Sequence, residues 1–262
     1  MVESAVALGA ERSLTFLLKA CLNGNRKPGE HPALPLSPQD VGHDARRAVE
    51  AGAGALHVHP RMPDGSETLD ANVVGTVVEA IRLTCPGVPV GVSTGAWIEP
   101  DLERRKELIG TWGSLPAGCR PDFASVNFSE LGATEVCVAL LDAGVGVEAG
   151  LWSAEDAYLL LEADMAGHCT RVLIELVRER AAEEARLTAQ EIETALDKAG
   201  VETPRLLHGE GAVAWPMFKY ALKQGYDARI GFEDTLVLPG GAIARDNAQL
   251  VKAALELARG RK

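Results

Sequence analysis

Gly54-Ala-Leu-His-Val-His-Pro-Arg61 reads as a short apolar strand that ends in two histidines and a turn. Alternate side chains of a strand share a face, so His57 and His59 project together. Two imidazoles on one face at a strand end are two-thirds of a metal site. The alternative for a bare H-x-H is one core histidine with a satisfied ring and one exposed. The flanks decide the fold. On the N-terminal side, Ser37-Pro38 has the form of an N-cap followed by proline at N1, opening a helix over Pro38–Ala51 that Gly52 and Gly54 stop. On the C-terminal side, Leu69-Asp70 starts a second helix running to about Leu83.

The same strand–helix alternation continues in both directions. Upstream, Leu14–Cys21 is apolar enough for a buried strand, followed by a polar, proline-punctuated loop to Pro38. Downstream, the strands are read at Val88–Val92, Asp122–Val126, Val145–Glu148, Arg171–Leu176, Pro204–His208 and Ala228–Phe232. The helices between and after them are read at Pro100–Ile109, Glu130–Asp142, Ala154–Ala166, Thr188–Ala199, Ala214–Gln224 and Ala244–Arg259. Alternation of this kind implies a parallel sheet, and eight units of about 33 residues point to a single-domain α/β protein, a (β/α)8 or TIM barrel over residues 1–262. An open doubly wound sheet is the other α/β solution, but no G-x-G-x-x-G follows the first strand.

Composition narrows the function classes. A net charge of −11 argues against a nucleic-acid partner, which would want a basic face. No apolar run approaches the ~18 residues of a membrane span. Met1–Arg12 lacks the basic start and apolar core of a secretory signal. The cysteines at 21, 85, 119, 137 and 169 are odd in number and widely spaced, giving neither a disulfide framework nor a C-x-x-C metal motif. A cytoplasmic protein is the expectation.

A barrel of this kind carries its site on the loops at the C-terminal ends of the strands. Strand 1 ends in Asn23 and Asn25, strand 2 in His57, His59 and Arg61, strand 3 in Ser93 and Thr94, and strand 4 in Asn127 and Ser129. Strands 5 and 6 end in Glu148 and Glu175, each of which could instead cap a helix, and strand 7 ends in His208 and Glu210. Strand 8 runs Arg229-Ile-Gly-Phe-Glu-Asp234, and its alternation puts Arg229, Gly231 and Glu233 on one face with Asp234 just beyond. Only strand 1 separates strands 2 and 8 in a closed barrel, so Glu233 can reach the two histidines. Two histidines, one carboxylate and an open position suit catalytic zinc, and equally ferrous iron. Arg229 in an apolar strand needs a carboxylate partner, because an unpaired buried guanidinium is costly; Glu233 or Asp234 can supply it. An Arg–Asp pair beside a metal could hold and tune a general base. His31, His43 and His168 read as ordinary surface residues.

With His57-Val-His59-Pro-Arg61, Gly91-Val-Ser93-Thr94-Gly95 and Arg229-Ile-Gly-Phe-Glu233-Asp234 in this order, the chain resembles the β-keto acid cleavage enzymes, the family typified by 3-keto-5-aminohexanoate cleavage enzyme. The resemblance implies a metal-dependent acyltransferase that uses acetyl-CoA as co-substrate to convert a β-keto acid into acetoacetate and a new acyl-CoA. His57, His59 and Glu233 would then hold Zn2+ or another divalent ion, as a Lewis acid for an enolate. Asp234, oriented by Arg229 and Ser93, would be the general base. Asn23, Asn25, Arg61, Thr94, Asn127 and Glu148 are the expected substrate-binding positions, and a homo-oligomer is expected.

Two departures from the family pattern bear on the substrate. Asn23 and Asn25 stand where members that bind an amino-bearing substrate present an acid, and Ser125-Val-Asn127-Phe-Ser129 replaces a threonine-rich stretch. A neutral or apolar keto acid is therefore expected to be preferred over an amino-substituted one, unless Asp64 or Glu67 supplies the charge. Two other functions compete. An amidohydrolase-type hydrolase would place H-x-H after strand 1 and histidines at strands 5 and 6, where this chain has Glu148 and Glu175. A non-catalytic barrel binding a keto acid or acyl-CoA would have no need for Arg229 and Asp234 together.

Overall fold

Every residue of strand β2 (Ala55–Val58) is buried, as a parallel strand covered on both faces must be. It pairs with β1 (Leu18–Cys21) on one side and β3 (Val90–Ser93) on the other. The sheet continues through β4 (Phe123–Asn127), β5 (Gly146–Leu151), β6 (Arg171–Leu176), β7 (Arg205–Gly209) and β8 (Asp227–Ile230), and β8 pairs back onto β1. All eight pairings are parallel and close the barrel in sequence order. The computed structural model describes residues 16–178 and 181–260. The reading of Met1–Arg12, and the first two residues of the expected strand Leu14–Cys21, fall outside that range.

Helices α1 (Pro38–Glu50), α2 (Ala71–Thr84), α3 (Leu102–Thr111), α4 (Ala133–Asp142), α5 (Ala154–Glu162), α6 (Ala182–Lys198), α7 (Ala214–Gln224) and α8 (Asn247–Arg259) form the outer ring. Their starts follow from local chemistry. Ser37 caps α1 by accepting from the Asp40 N–H, with Pro38 in the first turn. Asp70 caps α2 through the N–H groups of Asn72 and Val73. Ser153 and Asp156 form a reciprocal capping box on α5. The main core lies between this ring and the outward face of the strands, where Leu56, Val92, Val126 and Ile174 meet helix residues such as Val77 and Ile81. Each fully buried side chain of this kind contributes about 1.5–3 kcal/mol.

Three boundaries differ from the sequence reading in ways that matter. Strand β5 runs three residues beyond Glu148 to Leu151, so Glu148 lies below the rim of the barrel. Strand β8 stops at Ile230, before Phe232. Helix α6 starts at Ala182, before Thr188, because the Ala- and Glu-rich stretch ahead of it is strongly helix-forming and buries Ala185. Among the described residues no helix is long and apolar enough to cross a membrane.

Candidate active site

Glu233 reaches the histidines by a turn. At Gly231 the chain leaves β8, and the N–H groups of Asp234 and Thr235 both donate to the Gly231 carbonyl. A side chain at 231 is impossible without movement, since a Cβ there would lie 1.9 Å from the Cys21 carbonyl oxygen of β1. The turn places the Glu233 N–H on that same carbonyl and folds its side chain over Gly24. Gly24 has φ +55°, and a Cβ there would come within 2.3 Å of Glu233 Cγ.

From that position Glu233 Oε2 lies 3.7 Å from His57 Nε2 and 3.7 Å from His59 Nε2. One donor atom from each of the three residues falls within 4.8 Å of the others. His59 Nδ1 donates to Glu67 Oε2 at 2.7 Å, which leaves the Nε2 lone pair facing the cluster. Burial holds the His57 pKa well below the usual imidazole value despite the pull of Glu233, so that ring is neutral. Burial also opposes ionisation of Glu233, but the charge of Arg229 against it holds this carboxyl far below the ordinary range. Glu233 Oε2 is buried and has no hydrogen-bond partner among the described residues. A buried carboxylate oxygen with no donor among the described residues, facing the Nε2 atoms of His57 and His59, fits a divalent cation and is otherwise an unpaid desolvation.

Arg229, 3% exposed, ties this cluster to a second one. Its guanidinium donates to Glu233 Oε1 at 2.7 Å and to Asp234 Oδ1 at 3.0 Å, and lies 3.9 Å from Glu175 Oε2. His208 Nε2 is 2.9 Å from Glu175 Oε2, and its Nδ1 lies 3.2 Å from Asp234 Oδ1, in charge contact but off the hydrogen-bonding line. Burial and Arg229 press the His208 pKa down, but the two carboxylates outweigh them and raise it. Asp234 Oδ2 is left without a partner among the described residues.

The open space above these groups is a cavity of about 310 Å³ at the C-terminal end of the barrel. Of the expected substrate positions, Asn25 and Asn127 line it, as do the metal-site residues, Ser93 and Arg229. Asn127 is oriented by Glu130: its Nδ2 donates to Glu130 Oε1, while Glu130 Oε2 accepts from the Ala96 N–H and from buried Arg105. Asp234 is fully buried behind Arg229. The Ser93 hydroxyl accepts from the Gly95 N–H, and among the described residues it does not touch Asp234.

Other expected positions serve the frame. Asn23 is fully buried, exchanging hydrogen bonds with the His59 backbone and donating to Pro35 O. Arg61 donates to the carbonyls of Gly24, Arg26 and Gly65, so it ties the loops after β1 and β2 together. Thr94 Oγ1 donates to Ser125 O across β3 and β4. Glu148 is a correction: below the rim it bridges Lys19 and Arg171 in the barrel interior and does not reach the cavity. His31 is a second correction, since it is buried with Nε2 on Ala244 O; the loop after β8 covers it, which spacing alone could not reveal. His43 and His168 are exposed, as read.

Sequence reading missed five lining residues, Trp97, Ser125, Trp152, Val177 and Arg178, and placed Glu175 and Glu210 at strand ends without assigning them. Arg178 lies over the Trp152 ring at 4.8 Å. Burial, against the pull of His208 and Arg229, raises the Glu210 pKa to about 7. The position of Trp97 in the loop after β3 was the available signal for that residue.

Comparison with known proteins follows the same lines. The sequence model of the family described as beta-keto acid cleavage enzyme matches residues 16–262. The 3-keto-5-aminohexanoate cleavage enzyme of Fusobacterium nucleatum is 24% identical over 260 residues, covering 93% of this chain and 91% of that protein. The 3-oxoadipate:acetyl-CoA acetyltransferase of Cupriavidus necator is 31% identical over 97 residues, covering 37% of this chain and 31% of that one. Among solved structures, the ternary complex of ObcA with a C4-CoA adduct and oxalate superposes with a TM-score of 0.70 at 17% identity. That match covers 88% of this chain and 64% of the other, and shows a shared fold.

Proposed function

Because the chain belongs to the β-keto acid cleavage enzyme family, we propose that it condenses a β-keto acid with acetyl-CoA and releases acetoacetate and a new acyl-CoA, with a divalent metal at His57, His59 and Glu233. The observation that carries this reading is the buried Glu233 Oε2, without a donor and 3.7 Å from two imidazole nitrogens, directly beside the Arg229–Asp234 pair. Two histidines and one carboxylate suit zinc. Bound there, the ion supplies Lewis acidity for the keto and carboxylate oxygens of the substrate.

The protein's own groups do the rest. Asp234 is the base for C2 of the keto acid: Arg229 holds its Oδ1, and its Oδ2 has no partner among the described residues. Because the carboxylate lies behind Arg229, the guanidinium must shift for Oδ2 to take the proton. Carbon 2 then forms a bond to the acetyl carbonyl carbon, and the thiol of CoA leaves. That thiol adds to the original keto carbon, the C2–C3 bond breaks, and the proton returns to C2. The products are acetoacetate, built from C1 and C2 of the keto acid plus the acetyl group, and the acyl-CoA of the remaining chain.

The keto acid is proposed to carry a neutral or apolar substituent. Asn25 offers hydrogen bonds without charge. Glu67 is engaged by His59, and Asp64 is turned onto Ser66. Glu175 already faces His208 and Arg229, and burial favours the neutral form of Glu210. Apart from Glu233 Oε2, assigned to the metal, the lining carboxylate oxygen without a partner among the described residues is Glu175 Oε1, on a carboxylate already shared with His208 and Arg229. An ammonium held away from it would stay unpaired, at a cost of several kcal/mol in order of magnitude.

The test is an assay of zinc-loaded protein with acetyl-CoA and a panel of β-keto acids, following acetoacetate and acyl-CoA. Turnover is expected with neutral side chains, with kcat/KM for 3-oxohexanoate at or above that for 5-amino-3-oxohexanoate. No acetoacetate with any member of the panel would refute the reaction, and a tenfold preference for the amine, about 1.4 kcal/mol, would refute the substrate class.

A further inference from the structure

Trp97, in the loop between β3 and α3, is 49% exposed, yet its indole is held from three sides. Its ring stacks on His59, with centroids 6.2 Å apart and planes at 24°. Its Nε1 donates at 3.0 Å to Glu67 Oε2, the same oxygen that accepts from His59 Nδ1. Its six-membered ring lies over Gly95, where a Cβ would come within 2.2 Å of it. The loop that carries it is fixed by the Ala96 N–H on Glu130 and the Ile98 N–H on Gly95 O.

We propose that Trp97 is a positioning residue for the metal face: the indole N–H and ring hold Glu67 and His59 in the single arrangement that aims His59 Nε2 at Glu233. This rests on the metal reading given above. The physical reason is that a carboxylate partner on the far nitrogen sets the tautomer and ring orientation of a ligand histidine. Glu67 is a flexible side chain with two equivalent oxygens, and it also lies 3.7 Å from Arg61 through Oε1. A second donor on Oε2 removes the rotation that would otherwise let the carboxylate slip away from His59. The stacked indole limits the rocking of the imidazole itself. An exposed aromatic ring of this size would otherwise present its apolar face to water for no structural return, because it contributes little to the core.

The experiment measures zinc affinity by chelator competition on the metal-free protein, with KM and kcat taken at saturating zinc. Trp97→Phe keeps the stacking ring and removes only the donor; Glu67→Gln removes the charged acceptor. Glu67→Gln should weaken zinc roughly tenfold or more, and Trp97→Phe should weaken it by a similar order, with an unfolding midpoint of the metal-free protein unchanged. In Glu67→Gln/Trp97→Phe the two losses should not add, since both act through one carboxylate. At saturating zinc, Trp97→Phe should shift KM less than Trp97→Ala, which also opens the cavity wall. Gly95→Ala, which displaces the ring without touching its chemistry, should weaken zinc as Trp97→Phe does. Wild-type zinc affinity in Trp97→Phe, or additive losses in the double variant, would overturn the proposal. His57→Ala separates the two readings: if it too binds zinc as the wild type does, the metal site itself is wrong.

Discussion

His57 and Glu233 show how far single residues determine what this site can do. Glu233 Oε2 is costly to bury without a partner, and that cost is offset if a cation sits between it and His57 Nε2. Purified protein should accordingly carry about one divalent ion per chain, and His57→Ala and Glu233→Ala should each lose most of it on metal analysis. Full occupancy in both would contradict the assignment. Asp234→Asn should keep metal and fold but lower kcat by about 10²–10⁴-fold, because an amide cannot take the proton. Near wild-type turnover would place the base elsewhere. Glu210 makes a separate prediction about pH. Its folded pKa is raised to about 7, so the protonated carboxyl is favoured in the native state, and its contribution to stability is full below about pH 4.5 and lost as pH rises through 7. In the metal-free protein, Glu210→Gln should flatten the stability profile between about pH 5 and 8 and be the more stable variant at pH 8, by a few kcal/mol in order of magnitude. Parallel denaturation curves for both proteins across that range would show that Glu210 is ionised throughout.

Among the elements, the turn that leaves β8 carries the greatest consequence. Alternation along Arg229–Asp234 correctly puts Glu233 near His57 and His59, because β1 alone lies between β2 and β8. The route differs: β8 ends at Ile230, and a tight turn at Gly231 swings Glu233 inward. Sequence period cannot distinguish a strand that continues from one that turns, since what ends it is the Cys21 carbonyl approaching from another strand. Gly231→Ala should destabilise the fold by about 1–3 kcal/mol or more and weaken metal binding, because either the turn or β1 must move. Urea denaturation and metal analysis check both. A wild-type midpoint with full metal would mean the turn has slack the packing does not show. Asn23 teaches the same lesson in reverse. Its place at a strand end reads as substrate-binding, but its amide is occupied by the backbone of His59 and Pro35, so it shapes the loop that Glu233 packs against.

For the whole molecule, strand–helix alternation was enough to read the barrel, and the barrel rule pointed to its C-terminal face, where the cavity and the His57–His59–Glu233 cluster lie. What alternation could not reveal is depth. Glu148 was read as a rim residue because the strand appeared to end there; the extra length of β5 sinks it into an interior ion network with Lys19, Arg171 and Asp227. Glu148→Ala should therefore act on stability, by about 3–5 kcal/mol for a broken buried pair, with zinc affinity unchanged. A raised KM with unchanged stability would return Glu148 to the cavity. Trp97, Trp152 and Arg178 escaped for a related reason: their loops carry no period, and only closure of the barrel brings them over the cavity.

The central claim concerns the fate of carbon atoms, and labelled acetyl-CoA follows them directly. With the acetyl group carrying 13C at both carbons and an unlabelled β-keto acid as partner, the proposed chemistry puts both labels into C3 and C4 of acetoacetate and none into the new acyl-CoA. Label in the acyl-CoA, or acetoacetate formed without label, would contradict it.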